Sequence, residues 1–223
     1  MDDKNVVVCF ALAEEAGAFK KICGDKVPVF LTGIGRENAE KATREFLAAH
    51  TPLPSLLMTC GFAGGLIADL KLGDVVFEIP SVLAHGDQGN NVFAGIRSRL
   101  AAAGAREAKF YCADRIATTV ADKKKLREET GADAAEMESG AVQAVCGSQG
   151  IPCVTVRVIS DTANEDLPLD FNQFLKEDKS MDMSKLMMAV AKAPWKMGAL
   201  MELQKNTKLA AHRLADVLVK VTG

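Results

Sequence analysis

The sequence predicts an α/β domain of three layers, with helices on both faces of a central twisted mixed sheet. Short apolar, β-branched segments alternate with amphipathic or charged segments along the chain, which is the pattern of strands and helices taking turns. One of these, Cys153–Ser160, is an apolar, β-branched run with a single charged residue, Arg157, and reads as a strand buried on both faces. With 223 residues, 48% of them hydrophobic, the chain can bury one sizeable core and is short for two, so residues 1–223 are read as a single domain.

Asn5–Ala11 is a short apolar strand, and Glu14–Ile22 reads as a helix whose first-turn acids, Glu14 and Glu15, complement its dipole. Val27–Thr32 is the next strand, followed by GIGREN and a helix with Ala39, Ala42, Thr43, Phe46 and Leu47 on its inner side. A dinucleotide loop is rejected, because Asn38 stands in place of the third glycine and no acidic ribose-binder follows; no GK[ST] phosphate loop is present. After TPLP, Ser55–Cys60 is an apolar strand feeding GFAGG, where the glycines make a tight turn or let backbone amides approach a ligand, the turn being the simpler reading. Gly73–Ala84 is a strand pair or one bent strand, with Pro80 at a bulge or edge. His85–Asn91 is rich in turn formers, so His85 and Asp87 read as solvated loop residues rather than a catalytic pair. Gly95–Ala105 reads as a short helix, Lys109–Arg115 as a strand, and Asp122–Glu129 as a charged helix stopped by Gly131. The run KKKLREE within that helix is read as a solvated face with helical ion pairs.

Ala135–Asn164 is the most informative stretch. If Glu136–Glu138 is extended, Glu136 and Glu138 share one face and Met137 takes the other. Ser139–Gln149 is a helix that Gly150 and Pro152 end. Asp161 then falls at the carboxyl end of the buried strand, the edge of an open α/β sheet where ligands bind. Arg157, inside that strand, reads as a brace in a buried ion pair. Glu165–Asp182 is loop-rich, with Phe171 and Phe174 its large side chains. Helices at Ser184–Ala193 and Lys196–Val221 close the chain, broken at Pro194. Leu200, Leu203, Leu214, Val217, Leu218 and Val221 form a core-facing stripe, and Met181–Met188 reads as plastic packing or an interface.

A formal charge of −2 gives no basic field, so no nucleic acid partner is expected. Six cysteines without a CxxC pair suit a reducing cytosol. The acidic MDDKNVVV start lacks the order of a signal peptide, and no apolar run approaches the roughly 20 residues of a membrane helix, so a cytoplasmic protein without membrane insertion is expected.

ALAEEA at Ala11–Ala16, TGIG at Thr32–Gly35, GFAGGL at Gly61–Leu66 with LGD at Leu72–Asp74, EMES, IPCVTVRVISD and FNQFL at Phe171–Leu175 occur in the order of one family. The chain resembles the nucleoside phosphorylase superfamily, above all its 5′-methylthioadenosine/S-adenosylhomocysteine nucleosidase branch with the hopanoid-associated phosphorylases and futalosine hydrolases. The resemblance implies a phosphorylase/hydrolase-like fold, a small purine nucleoside as partner, a homodimer, and no metal or cofactor, with phosphate the one possible co-substrate. It also implies site roles. Glu15 would activate water, and Asp161, oriented by Ser160, would protonate purine N7. Holding that proton near neutral pH calls for burial or a nearby carboxylate around Asp161. Glu138 would bind the ribose hydroxyls, with Met137 under the sugar. The backbone of Ile116 would read the adenine edge, and Phe171 would cover the base. Phe62, Ala63 and Gly64 would lie along ribose and base, with Ile34, Arg115 and Glu136 completing the binding set. Two residues depart from the nucleosidase pattern: Phe62 stands where a small serine is usual, and Arg115 where an aromatic stacks on the base.

Glu15, Glu138 and Asp161, with no histidine cluster for a metal and no Ser–His–Asp or Cys–His pattern, suit cleavage of a glycosidic bond, which needs a general acid at the leaving group and negative charge near a cationic sugar. Hydrolysis is favoured over phosphorolysis. Where the phosphorylase branch carries clamping arginines, this chain has Ala13, Glu14 and Glu15, and then Met58 and Thr59, which leaves Arg36 to rescue phosphate binding. The short, turn-rich Ser81–Gly95 segment implies an open 5′ pocket and tolerance of large 5′ groups.

Overall fold

The structure, a computed structural model, describes residues 5–80 and 86–223, with side chains for all of these except 86–90. The elements in chain order are β1 (Val6–Phe10), α1 (Ala13–Cys23), β2 (Val29–Leu31), α2 (Arg36–Ala49), β3 (Leu56–Gly65), β4 (Val75–Glu78), α3 (Gly86–Ala102), β5 (Arg106–Glu107), β6 (Phe110–Cys112), α4 (Val120–Thr130), β7 (Ala134–Glu136), α5 (Ser139–Ser148), β8 (Cys153–Asp161), α6 (Met183–Lys192) and α7 (Met197–Thr222).

The sheet runs in the order β2-β1-β3-β8-β4-β5, and β3 also pairs with β7, which pairs with β6. Neighbours among β2, β1, β3 and β8 are parallel, whereas β4 runs antiparallel to β8, so the sheet is mixed. The two-residue period of each strand sorts its side chains between two helical layers. Val8, Phe10, Met58, Cys60, Val154, Val156 and Val158 pack with Phe19 of α1, Phe93, Ile96 and Leu100 of α3, and Leu214 and Leu218 of α7. On the other face Cys9, Leu57 and Cys153 meet Ala39 and Leu47 of α2 and Val142, Val145 and Cys146 of α5. Each large side chain buried in this way contributes roughly 1.5–3 kcal/mol. The three-layer α/β architecture is therefore as the sequence predicts, and all nine residues of β8 are buried.

Several elements differ from expectation. GFAGG is not a turn. β3 continues through it to Gly65, because Gly61–Gly64 pair with Arg157–Asp161 on one side and Gly64–Gly65 with Ala134–Ala135 on the other. Lys109–Arg115 yields only β6, preceded by the separate two-residue β5. The helix read over Gly95–Ala105 begins at Gly86, so the loop reading fails for 86–91; burial of Phe93, Ile96 and Leu100 outweighs the weak propensity of its Gly and Asn residues. His85, and the Ser81–Ala84 end of both the expected strand and the expected 5′ segment, lie outside the described residues. β4 ends before Pro80. Gly131 ends α4 in the left-handed conformation, as expected of a helix-stopping glycine.

Candidate active site

Because β1, β2, β3 and β8 run parallel, their carboxyl ends share one edge, and the chain leaving each supplies part of one cavity. This cavity of about 190 Å³ is lined by Leu12 and Glu15 after β1, Ile34 after β2, Phe62, Ala63 and Gly64 of β3, and Ser160 and Asp161 of β8. Arg115, Ile116, Lys123, Glu136, Met137 and Glu138 complete it. A more open hollow of about 650 Å³, at Glu78, Lys109, Asp133 and Gln143, contains none of the three acids singled out above.

Glu15 stands in the first turn of α1, and its carboxylate reaches back to the Leu12 amide at 2.9 Å, the carboxylate half of a capping box. Its other oxygen accepts from the Phe62 amide at 2.8 Å, tying α1 to β3. Burial pushes its pKa above the usual carboxylate value, against the pull of these amides and of Arg157.

Arg157 organises the next two acids. It is 1% exposed, and its Nη2 lies 2.6 Å from Glu136 Oε2 and 3.9 Å from Glu138 Oε2, while Nη1 donates to the Thr59 carbonyl. The ion pair read from the sequence is thus present. Glu136 Oε2 also accepts from the amides of Glu138 and Ser139, and Oε1 from the Ser139 hydroxyl. Glu136 borders the cavity, but protein donors engage both of its oxygens. Burial disfavours its charge, and Arg157 with the Ser139 hydroxyl and these amides overcomes that, leaving its pKa below the ordinary value. Glu138 makes a weaker approach to Arg157 and accepts from the Gly35 amide at the start of α2, at 2.9 Å. Burial, with the Glu136 and Glu15 charges adding to it and Arg157 opposing it, pushes Glu138 up to about 7.

Asp161 was expected to have burial or a carboxylate beside it. It is buried, but the charged group facing it is an ammonium: Lys123 Nζ lies 2.7 Å from Asp161 Oδ2, and Lys123 is wholly buried. The solvated-face reading of KKKLREE is therefore wrong at its first residue. Thr119 caps α4 by accepting from the Asp122 amide, which sets the turn that brings Lys123 inward. The helical period held the missed signal, since Lys123, Leu126 and Thr130 share the more buried face of α4 while Lys124, Lys125 and Glu128 stay exposed. Ser160 Oγ donates to Asp161 Oδ1 at 2.8 Å, the orienting contact expected of it.

Two base-side expectations change. Phe171 does not line the cavity; it packs edge-to-face on Phe174, at 6.4 Å between ring centres, within a short 3-10 turn that Asp170 caps. The Ile116 peptide is engaged by Asn172, which the sequence reading missed: Ile116 N–H donates to Asn172 Oδ1, and Asn172 Nδ2 donates to the Ile116 carbonyl, each at 2.9 Å. Arg36 is also absent from the cavity lining; it donates to the Cys112 carbonyl at 3.1 Å and lies 3.7 Å from Asp114. Among the described residues, no group of three or more His, Cys, Asp or Glu could hold a metal ion, and no helix is long and apolar enough to cross a membrane.

A mixed sheet whose cavity gathers acids from the carboxyl ends of β1 and β8 and from the β7–α5 junction defines an α/β protein with a buried acidic cavity. The chain belongs to the phosphorylase superfamily, whose family profile matches residues 12–192. Among its relatives, a 5′-methylthioadenosine/S-adenosylhomocysteine nucleosidase of Shewanella halifaxensis is 29% identical over 180 residues, covering 70% of this chain and 76% of the relative. That of Shewanella frigidimarina is 30% identical over 183 residues, covering 69% and 76%. In fold, the chain is similar to the futalosine hydrolase of Helicobacter pylori, with a TM-score of 0.67 at 18% identity over 97% of this chain and 96% of that one.

Proposed function

We propose that this protein is a nucleosidase, which hydrolyses the N-glycosidic bond of a 5′-substituted adenosine-type nucleoside and releases the base. In this reading Asp161 passes a proton to purine N7 while the C1′–N9 bond breaks and its electron pair stays with the purine. Glu138 holds the ribose hydroxyls, with Met137 packed under the sugar, and the buried carboxylates favour the cationic character that develops at C1′. Glu15 takes a proton from water as the oxygen bonds to C1′, a role its raised proton affinity suits. Glu136 and Arg157 hold Glu138 in place. No cofactor enters these steps.

The observation that carries water over phosphate is that carboxylates already occupy the backbone donors at the nucleophile side. Glu15 takes the Leu12 and Phe62 amides, and Glu138 takes the Gly35 amide at the N-terminus of α2, the kind of position where a phosphate would otherwise sit. The nucleosidases among the relatives support the adenosine-type substrate. A cytoplasmic homodimer completes the proposal; the exposed Met187, Met188 and Met201 of α6 and α7, with Trp195 between these helices, are an apolar surface that supports this reading. The test is purine release from 5′-substituted adenosines with and without millimolar phosphate, with the sugar product identified by mass. Free ribose derivative at a phosphate-independent rate is expected, and a ribose 1-phosphate product would overturn the hydrolytic reading.

A further inference from the structure

Lys123 has three N–H bonds and three acceptors: Asp161 Oδ2 at 2.7 Å, the Thr162 carbonyl at 2.7 Å and the Glu165 carbonyl at 2.9 Å. A buried ammonium is costly unless fully paired, and this one is paired to capacity in a place with no solvent contact. Asp161 in turn accepts at both oxygens, from Lys123 at Oδ2 and from the Ser160 hydroxyl at Oδ1. The proton nearest to Asp161 that can be transferred from a charged acid is therefore on Lys123.

We infer that Lys123 is the proton reservoir of the leaving-group side, a positioning residue that acts on the purine through Asp161. The inference rests on the nucleosidase reading. A Lys123 N–H proton moves to Asp161, Asp161 delivers a proton to purine N7, and the C1′–N9 electron pair leaves with the purine. Water loses its proton to Glu15 and bonds to C1′. Net transfer of that proton from Glu15 through solvent to Asp161, and from Asp161 to Lys123, resets the site.

The acceptor count permits this role. Once Lys123 has given up one proton, the neutral amine keeps two N–H bonds for the Thr162 and Glu165 carbonyls, and its lone pair accepts from the Asp161 O–H. Every group thus stays satisfied with the proton on either residue, so the transfer from Lys123 to Asp161 strands no buried polar atom. Gly64 supports the arrangement from the other side, since a Cβ there would stand 3.2 Å from Asp161 Oδ2.

The experiment compares Lys123→Gln and Lys123→Met with the unaltered protein on two substrates: 5′-methylthioadenosine, and its N7-methylated counterpart, whose base is already cationic and needs no proton to leave. The ratio of the two turnover rates is independent of how much of a variant is folded. If Lys123 supplies the proton, turnover of the first substrate falls by about 10²- to 10⁴-fold while that of the second changes by less than about tenfold. Lys123→Arg keeps the charge but gives up a proton reluctantly, and is expected not to restore the first activity. Equal loss on both substrates in both neutral variants, or rescue by arginine, would assign Lys123 a structural role and overturn the inference. Unchanged turnover would overturn it as well. Failure of the unaltered protein to release base from either substrate would instead overturn the nucleosidase reading.

Discussion

Glu15 and Gly61 meet with no side chain between them: a Cβ built on Gly61 would stand 2.6 Å from Glu15 Oε1. Helix α1 and strand β3 can therefore close on each other only while residue 61 is glycine, and the Phe62 amide at 2.8 Å then fixes where the carboxylate points. The glycine of GFAGG matters here for close approach within a strand and not for a turn.

Gly61→Ala is accordingly expected to displace Glu15. Turnover should fall by about 10²-fold or more if Glu15 serves as the base, while the overpacking costs about 1–3 kcal/mol of stability. Steady-state rates and a denaturant midpoint on the same preparation check both. A folded Gly61→Ala protein with normal turnover would take Glu15 out of the mechanism.

Asn172 presents its carboxamide to Ile116 much as an adenine edge would, an acceptor to the N–H and a donor to the carbonyl. A purine that uses this peptide has to displace it. Asn172→Ala should remove the competitor and lower KM, by about tenfold at most for two hydrogen bonds of modest net value. A rise in KM would show instead that Asn172 steadies the segment over the bound base.

What the sequence revealed, and what it hid, follows from the range of the signals. The position of Asp161 was legible because a buried strand has one carboxyl end, and the shared face of Glu136 and Glu138 because an extended segment alternates its faces, whereas which acid pairs with Arg157 was not. Lys123 was hidden inside a run of charges whose composition suggests solvent, although its helical period put it with Leu126. Asn172 had no local signal, since its partner lies 56 residues away. The continuation of β3 through GFAGG was decided by β7 and β8, against the local preference of glycine, which is the usual way tertiary pairing overrides propensity.

Removal of one partner from the Arg157–Glu136 pair should be felt in stability before function. Both groups are buried, and the pair is 2.6 Å apart. Glu136→Ala would leave the guanidinium its Thr59 contacts but only the weaker Glu138 approach as a carboxylate partner, and a cost of about 3–5 kcal/mol is expected for a broken buried pair. Chemical denaturation measures it, and a cost below about 1 kcal/mol would mean that Glu138 moves in to replace the lost partner.

Glu138 predicts a pH dependence of stability with a definite sign. Its proton affinity is raised by burial from the ordinary 4.5 to about 7, so between those values the folded protein holds a proton that the unfolded chain has lost. Stability from this group is fully present below about pH 4.5 and is lost as pH rises through about 7. Glu15 is raised as well and acts in the same direction, whereas Glu136, lowered by Arg157, contributes stability that is lost only as pH falls below the ordinary carboxylate range. A neutral Glu138→Gln keeps an oxygen for the Gly35 amide and has no charge to bury. It is expected to match the unaltered protein near pH 5 and to exceed it near pH 8, by a difference on the order of 3 kcal/mol at most. Denaturant midpoints at pH 5, 6, 7 and 8 trace the two curves. Parallel curves would show that Glu138 stays ionised in the folded protein, with Arg157 offsetting the burial.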